Sequence, residues 1–372
     1  MMTLQHYRPT RALINLEAIK ENVRQLKKFL QPNVHIVAVV KANAYGHGDI
    51  QVTEAAIEAG ATMLAVATPD EALHIRDFFP DIEILILGYT PVSFAKVAAE
   101  KNITLSVYSS DWITRLPTDV IQPIKVHIKV DSGMGRIGVT SIDELLDLYQ
   151  SIEKSNCLIL DGIFTHFATA DEEDDSYFTK QVDKFKKFID ALPTKPRIVH
   201  VANTATMLTK DSTLQFDAVR FGISMYGLAP SPYVKNRLPF PIKEAFSLET
   251  ELVAVKLLHK GESVGYGATF TAEESMYVGT IPIGYADGLI RRLGGQEVLI
   301  DGKRVPIIGR ICMDQCMIAL PTAYNIGEKV TLLGLQNKEE IAIDEWATKL
   351  ETINYEIPCI ITARVPRIYL KK

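Results

Sequence analysis

The chain has 372 residues, 47% hydrophobic and 23% charged, the balance of a globular protein rather than a disordered one. Its 40 lysines and arginines stand against 45 acids, a net charge of −5, without the basic excess that would point to a nucleic-acid partner. The longest apolar runs, IVAVV at 36–40 and ILIL at 84–87, are far shorter than the about 20 residues of a membrane helix, and the start MMTLQHYRPTRAL lacks a secretory core, so a cytoplasmic protein with no membrane partner is expected.

In chain order, Leu16, Ile19, Val23, Leu26, Phe29 and Leu30 recur at helical spacing. Apolar strands then alternate with helical segments, and strands are predicted at 36–40, 63–67, 84–87, 104–107, 125–130, 159–164, 197–201 and 217–220. The segment 69–79 opens on proline and acids, as helices do. In 176–192, Phe178, Val182, Phe185, Phe188, Ile189 and Leu192 share one face, leaving the lysines to solvent. Eight such strands predict an α/β chain whose residues 10–240 form an N-terminal (β/α)8 barrel of the TIM type. Beyond Pro239 and Pro241 the rhythm changes to short alternating stretches broken by glycine, with an Asp301-Gly302 hairpin signal and one helical segment at 341–350. Residues 241–372 are therefore predicted as a mainly antiparallel β domain, with 1–9 open to joining it.

Cys157, Cys312, Cys316 and Cys359 read as reduced thiols. Cys312 and Cys316 lack a CxxC or histidine pair, so no metal is expected there. GMGRIG at 133–138 follows a fifth strand and opens no helix, and is not a dinucleotide motif.

In such barrels chemistry sits where strands end. The segments that follow the strands are KANAYGHGD at 41–49, DSGMGRIG at 131–138, THFATAD at 165–171, ANTAT at 202–206 and RFGISMYG at 220–227. Lys41 is either a surface lysine or a desolvated, nucleophilic amine suited to Schiff-base chemistry. Tyr45 is either core or a hydroxyl for a ligand. Asn203, Thr204, Gly222 and Ser224 make either a tight turn or a phosphate cradle. Alternation in 126–131 turns His127, Lys129 and Asp131 inward. A buried Lys129 then needs a partner, and Asp131 is the candidate. His127, His166 and His200 read as hydrogen-bonded core residues in preference to metal ligands. A buried Arg220 needs a partner or a ligand.

Eight blocks resemble the alanine racemase family in order along nearly the whole chain: VAVVKANAYGHG at 37–48, KVDSGMGRIG at 129–138, IFTHFATADE at 163–172, VRFGISMYG at 219–227, VGYGATF at 264–270, PIGYADG at 282–288, IGRICMDQCM at 308–317 and INYEIPC at 353–359. The resemblance implies a barrel plus β domain, and a head-to-tail homodimer whose active sites draw on both subunits. It makes Lys41 the lysine that carries pyridoxal 5'-phosphate and one of two catalytic bases. Tyr266 of the other subunit is the second. Two bases on opposite faces of the α-carbon are what racemisation requires.

The same resemblance implies that Arg220 bonds the cofactor's pyridine nitrogen and, with His166, tunes Tyr266. Tyr45, Asn203, Thr204, Gly222, Ile223 and Tyr355 become cofactor-binding residues. Thr204 stands where serine is common in the family. Arg136 and the Met313 backbone N–H of the partner face the substrate carboxylate. Lys129 matches a lysine that some members carry as a carbamate. Tyr285, Arg310 and Asp171 match the substrate entrance. The activity implied is L- to D-alanine interconversion, supplying D-alanine for peptidoglycan. The same chemistry on serine is a rival, although the bulk of Tyr266 and Tyr355 favours a methyl-sized side chain. A decarboxylase of this fold is disfavoured by Arg220, and a small cofactor carrier by the presence of the β domain.

Overall fold

A computed structural model describes residues 6–371, which divide into two compact units. One holds Ala18–Ala44 and Asp49–Lys243; the other holds the chain up to Glu17, Tyr45–Gly48 and the chain from Glu244. The change from one unit to the other falls between Lys243 and Glu244. Residues 10–17, assigned to the barrel by the sequence reading, group instead with the β unit, and residues 1–5 lie outside the described residues.

The reason is a strand the periodicity did not reveal. β1 (Arg11–Asn15) alternates half-buried and buried residues. It pairs antiparallel with Phe246–Glu251 and parallel with Arg367–Leu370. A five-residue strand directly ahead of a strong helix (Leu16–Phe29) gives little pattern to read.

In the first unit all eight expected strands form: β2 (His35–Val39), β3 (Met63–Val66), β4 (Glu83–Ile86), β5 (Ile103–Val107), β6 (Ile124–Lys129), β7 (Leu158–Phe164), β8 (Ile198–His200) and β9 (Ala218–Phe221). They are parallel, in the order β8-β7-β6-β5-β4-β3-β2-β9. The seam between β8 and β9 carries backbone bonds from Asp217 N to Val199 O (3.0 Å) and from Arg220 N to Ala202 O (2.9 Å), so the barrel is nearly closed. The strands are buried almost throughout, as expected of a parallel sheet wrapped in helices. The helix Ser176–Ala191 buries Phe178, Val182, Phe185 and Phe188 as its spacing requires.

The other unit is built on a mixed sheet that is mainly antiparallel. Asp301 and Gly302, at φ 51° and 71°, make the expected hairpin turn between Glu297–Ile300 and Lys303–Ile308. The helix Ile343–Leu350 falls within the predicted segment.

Candidate active site

Lys41 stands two residues past the end of β2 and leads into an unusual backbone. Ala42, Asn43, Ala44 and Tyr45 all have φ between 50° and 53°. A left-handed turn costs L-residues about 1–2 kcal/mol each, so the surroundings must hold it. Ala42 N donates to Glu71 Oε1 at 2.7 Å, Ala44 N to Val40 O at 2.9 Å, and Asp49 N to Asn43 Oδ1 at 3.0 Å.

Across the barrel interior runs a chain of polar side chains with fixed polarity. Arg220 is buried, and its Nη1 donates to His200 Nδ1 at 2.8 Å. Guanidinium only donates, so the proton of His200 sits on Nε2. That nitrogen lies 3.0 Å from His127 Nδ1, and His127 Nε2 lies 3.2 Å from Asp161 Oδ2. Asp161 is clamped by Arg197 through two bonds of 2.8 and 2.7 Å. His127 and His200 are thus hydrogen-bonded core histidines, as read from sequence. Arg220 Nη2 donates to the carbonyls of Thr165 (2.8 Å) and Val201 (3.0 Å) and reaches His166 Nδ1 at 3.4 Å. No carboxylate pairs with Arg220 among the described residues, and burial pushes its pKa down to about 9.

His166 reports where positive charge gathers. Burial, then Arg220, Lys129, Arg136 and Lys41 in that order, hold it well below the usual imidazole range. His166 is therefore neutral near pH 7, with Arg220, Lys129, Arg136 and Lys41 all disfavouring its charge. Lys129 does not pair with Asp131, the partner considered from sequence. Both Asp131 oxygens are occupied by the loop they organise: Oδ1 accepts from Gly133 N (2.9 Å) and Gly135 N (3.0 Å), and Oδ2 from Arg136 N (2.8 Å). Lys129 Nζ lies instead 4.4 Å from the centre of the Phe164 ring. Burial, followed by Arg220 and Arg136, lowers its pKa well below that of an ordinary lysine.

At the end of β8, Asn203 caps a short helix, its Oδ1 accepting from Thr206 N at 3.0 Å. Thr204 Oγ1 accepts from Gly222 N at 3.0 Å, joining the β8 and β9 loops, and Ile223 opens the next turn. Asp171 anchors its own segment through its carbonyl, which accepts from Ser231 Oγ at 2.8 Å.

In the β unit, Tyr45 and Tyr355 have ring centroids 6.1 Å apart. Burial raises the Tyr45 phenol, so it stays protonated as a donor. Tyr266 is 71% exposed and lies between Gly265 and Gly267, at φ 76° and 75°. A Cβ on Gly267 would come within 2.9 Å of Arg310 Nη1, so the residue that follows Tyr266 packs against Arg310. Tyr285 N donates to Cys312 O and Ala286 N to Met313 O, both at 3.0 Å, so Tyr285 and Met313 sit on paired loops. Met313 is 53% and Tyr285 42% exposed. Aromatic and thioether side chains thus form an uncovered surface on this unit.

The alanine racemase N-terminal domain profile matches residues 14–230, and the C-terminal domain profile matches 245–369. Alanine racemase of Geobacillus stearothermophilus is 51% identical over 368 residues, 98% of this chain and 94% of its own. The chain belongs to the alanine racemase family. It is accordingly an amino-acid racemase. The structure of alanine racemase from Bacillus anthracis with bound L-Ala-P superposes with a TM-score of 0.96 at 45% identity, covering 99% and 96% of the two chains. Histidine racemase from Leuconostoc mesenteroides follows the same fold, with a TM-score of 0.91 at 31% identity over 99% of each chain.

Of the barrel residues named from sequence, Arg220, Lys129, Arg136 and Lys41 all bear on the charge of His166. Four supporting residues escaped that reading. Phe164 stacks on His200 (4.6 Å, 8°) and carries Lys129. Gln181 accepts from Ala168 N at 2.8 Å and so braces the loop after His166. Asp161 ends the histidine chain, and Glu71 holds the Lys41 turn. Their signals were present but local. Asp161 interrupts an apolar strand, Gln181 falls on an apolar helix face, and Glu71 stands three residues after Thr68 in a capping box.

Proposed function

We propose that this chain interconverts L- and D-alanine with pyridoxal 5'-phosphate held on Lys41, supplying D-alanine for peptidoglycan in the cytoplasm. The observation that supports it is the convergence of Lys41, Lys129, Arg136 and Arg220 on a neutral His166. A buried guanidinium without a carboxylate partner among the described residues suits an anionic, ring-bearing ligand with an acceptor nitrogen. The residues therefore fit the cofactor. When bound, pyridoxal phosphate supplies an aldehyde for the substrate amine and an electron-poor ring that acidifies the α C–H.

Arg220 would donate to the ring nitrogen and, being unable to give up its own charge below about pH 9, keep that nitrogen as an acceptor. Tyr45, Tyr355, Asn203, Thr204, Gly222 and Ile223 would hold the phosphate, with the Tyr45 phenol protonated for the purpose. Arg136 would bind the substrate carboxylate, together with the Met313 backbone N–H of a second copy. A carbamate on Lys129 would orient Arg136. Lys41 Nζ and the Tyr266 phenol would take and return the α-proton on opposite faces. Tyr285, Arg310 and Asp171 would line the entrance and limit its width. The exposure of Tyr266, Met313 and Tyr285 favours a homodimer in which each β unit completes the other copy's site.

The histidine racemase relative keeps this fold with a larger side chain in its name, so racemisation of serine or a wider set is the second reading. D-amino-acid detection from a panel of L-amino acids decides between them. Alanine is expected to exceed serine by at least tenfold, and equal turnover would defeat the alanine assignment. Lys41→Ala is expected to abolish turnover. Mixing Lys41→Ala with Tyr266→Phe subunits is expected to regain activity that neither parent has. No recovery would overturn the shared site.

A further inference from the structure

We propose that Glu71 is a positioning residue for Lys41, an inference that rests on the reading of Lys41 as the cofactor lysine. Glu71 is the third residue of the helix Pro69–Phe78, and its N–H donates to Thr68 Oγ1 at 3.3 Å. A capping box asks its carboxylate for one bond, to the N-cap N–H. Here Oε2 accepts that N–H, from Thr68, at 3.2 Å and also Ala67 N at 2.8 Å. Oε1 is left over from the cap and is the acceptor for Ala42 N at 2.7 Å, the shortest of the three. Ala42 directly follows Lys41 and is the first of four consecutive non-glycine residues at positive φ. Such a run persists only where neighbours hold it. One carboxylate thus joins the ends of β2 and β3 and restrains the left-handed turn where it leaves Lys41. Weakening that bond should free the lysine's backbone without undoing the helix that Glu71 caps.

Two substitutions separate these roles. In Glu71→Gln the single amide oxygen best serves the two donors on the Oε2 side, turning NH2 toward the Ala42 N–H, donor against donor. Thr68→Val removes the hydroxyl acceptor of the cap and leaves the Ala42 bond in place. In each full-length holoenzyme, three quantities are read: hydrogen exchange across residues 42–46, the rate at which hydroxylamine strips the cofactor, and the thermal midpoint. Glu71→Gln is expected to speed exchange and stripping at least tenfold. Thr68→Val is expected to lower the midpoint as much or more with both rates within twofold of the parent. If Glu71→Gln yields no soluble protein, Glu71→Asp, which withdraws the charge by one methylene, is expected to show the same split. Rates unchanged in the Glu71 variants, or equally raised in Thr68→Val, would overturn the proposal. Borohydride reduction and peptide mapping of the parent tests the underlying reading separately, because a label elsewhere than Lys41 would defeat that reading whatever Glu71 does.

Discussion

Nη1 of Arg220 donates to Nδ1 of His200 across 2.8 Å, and this one bond sets the protons of two imidazoles. His200 must carry its proton on Nε2, His127 must accept it on Nδ1, and His127 must then donate to Asp161. Every donor in the chain points from the guanidinium toward the carboxylate. The counter-charge to Arg220 therefore stands two rings away.

Burial is the first cause that holds His127, His166 and His200 below the usual imidazole range, with Arg220 next for the latter two. In the unfolded chain each takes up a proton near pH 6.5. The unfolded state thus binds more protons as pH falls, and stability present above about pH 6.5 is lost below it, by up to about 4 kcal/mol per pH unit for three groups. Burial pushes the Asp161 carboxyl up, but bonds from His127 and Arg197 outweigh it. Its share is lost only below about pH 4. Urea midpoints are expected to drop more steeply from pH 6 to 5 than from 8 to 7, with His127→Asn reducing the slope by about one proton. A level profile down to pH 5 would contradict the assignment of neutral histidines.

Lys129 is buried over Phe164 with its usual charge disfavoured, the state in which an amine reacts with CO2. Holoenzyme in 13C-bicarbonate is expected to show one carbamate resonance that Lys129→Arg removes. Persistence of that signal in the variant would move the modification elsewhere.

Arg76 is buried at the outer wall of the barrel unit and donates to four carbonyls, those of Phe79, Pro80, Lys101 and Asn102, at 2.8–2.9 Å. It closes the ends of two helices at once. Arg76→Met keeps the apolar stem and strands the acceptors, at an expected cost of about 3 kcal/mol or more by denaturant titration. Arg76→Lys is expected to recover less than half of it, because one ammonium cannot reach four carbonyls in that fork.

Gly284 and Gly267 tell apart a backbone wall from a movable one. A Cβ on Gly284 would fall 2.3 Å from Met313 O, whereas one on Gly267 meets the end of the Arg310 side chain at 2.9 Å. Gly284→Ala is expected to shift the Met313 loop and raise KM for the amino acid more than tenfold. Gly267→Ala, strained by its φ of 75°, is expected to act mainly on kcat through Tyr266. Steady-state kinetics on both variants reads the difference.

Much of this was legible in the letters. The eight barrel strands declare themselves because parallel strands buried on both faces are continuous apolar runs. Lys41 stands out because it follows such a run and Arg220 because it ends one, whereas Arg136 is marked only by the family resemblance. What the letters hide is pairing at a distance. Nothing in RALIN says that its partners are 246–251 and 367–370. Alternation turned Lys129 and Asp131 inward, but it could not show that three backbone amides had already taken the carboxylate. Left-handed φ at four ordinary residues leaves no trace in composition.

β1 lies between a strand that starts at residue 246 and one that ends at residue 370. During synthesis that early segment leaves the ribosome with both of its neighbours still to be translated. It must wait, while everything needed for the barrel, residues 18–243, emerges in the meantime. Folding on the ribosome can therefore finish the barrel unit early, whereas β1 is locked only after residues 367–370 have been made. A tail truncated by a few residues would leave that strand with an open edge.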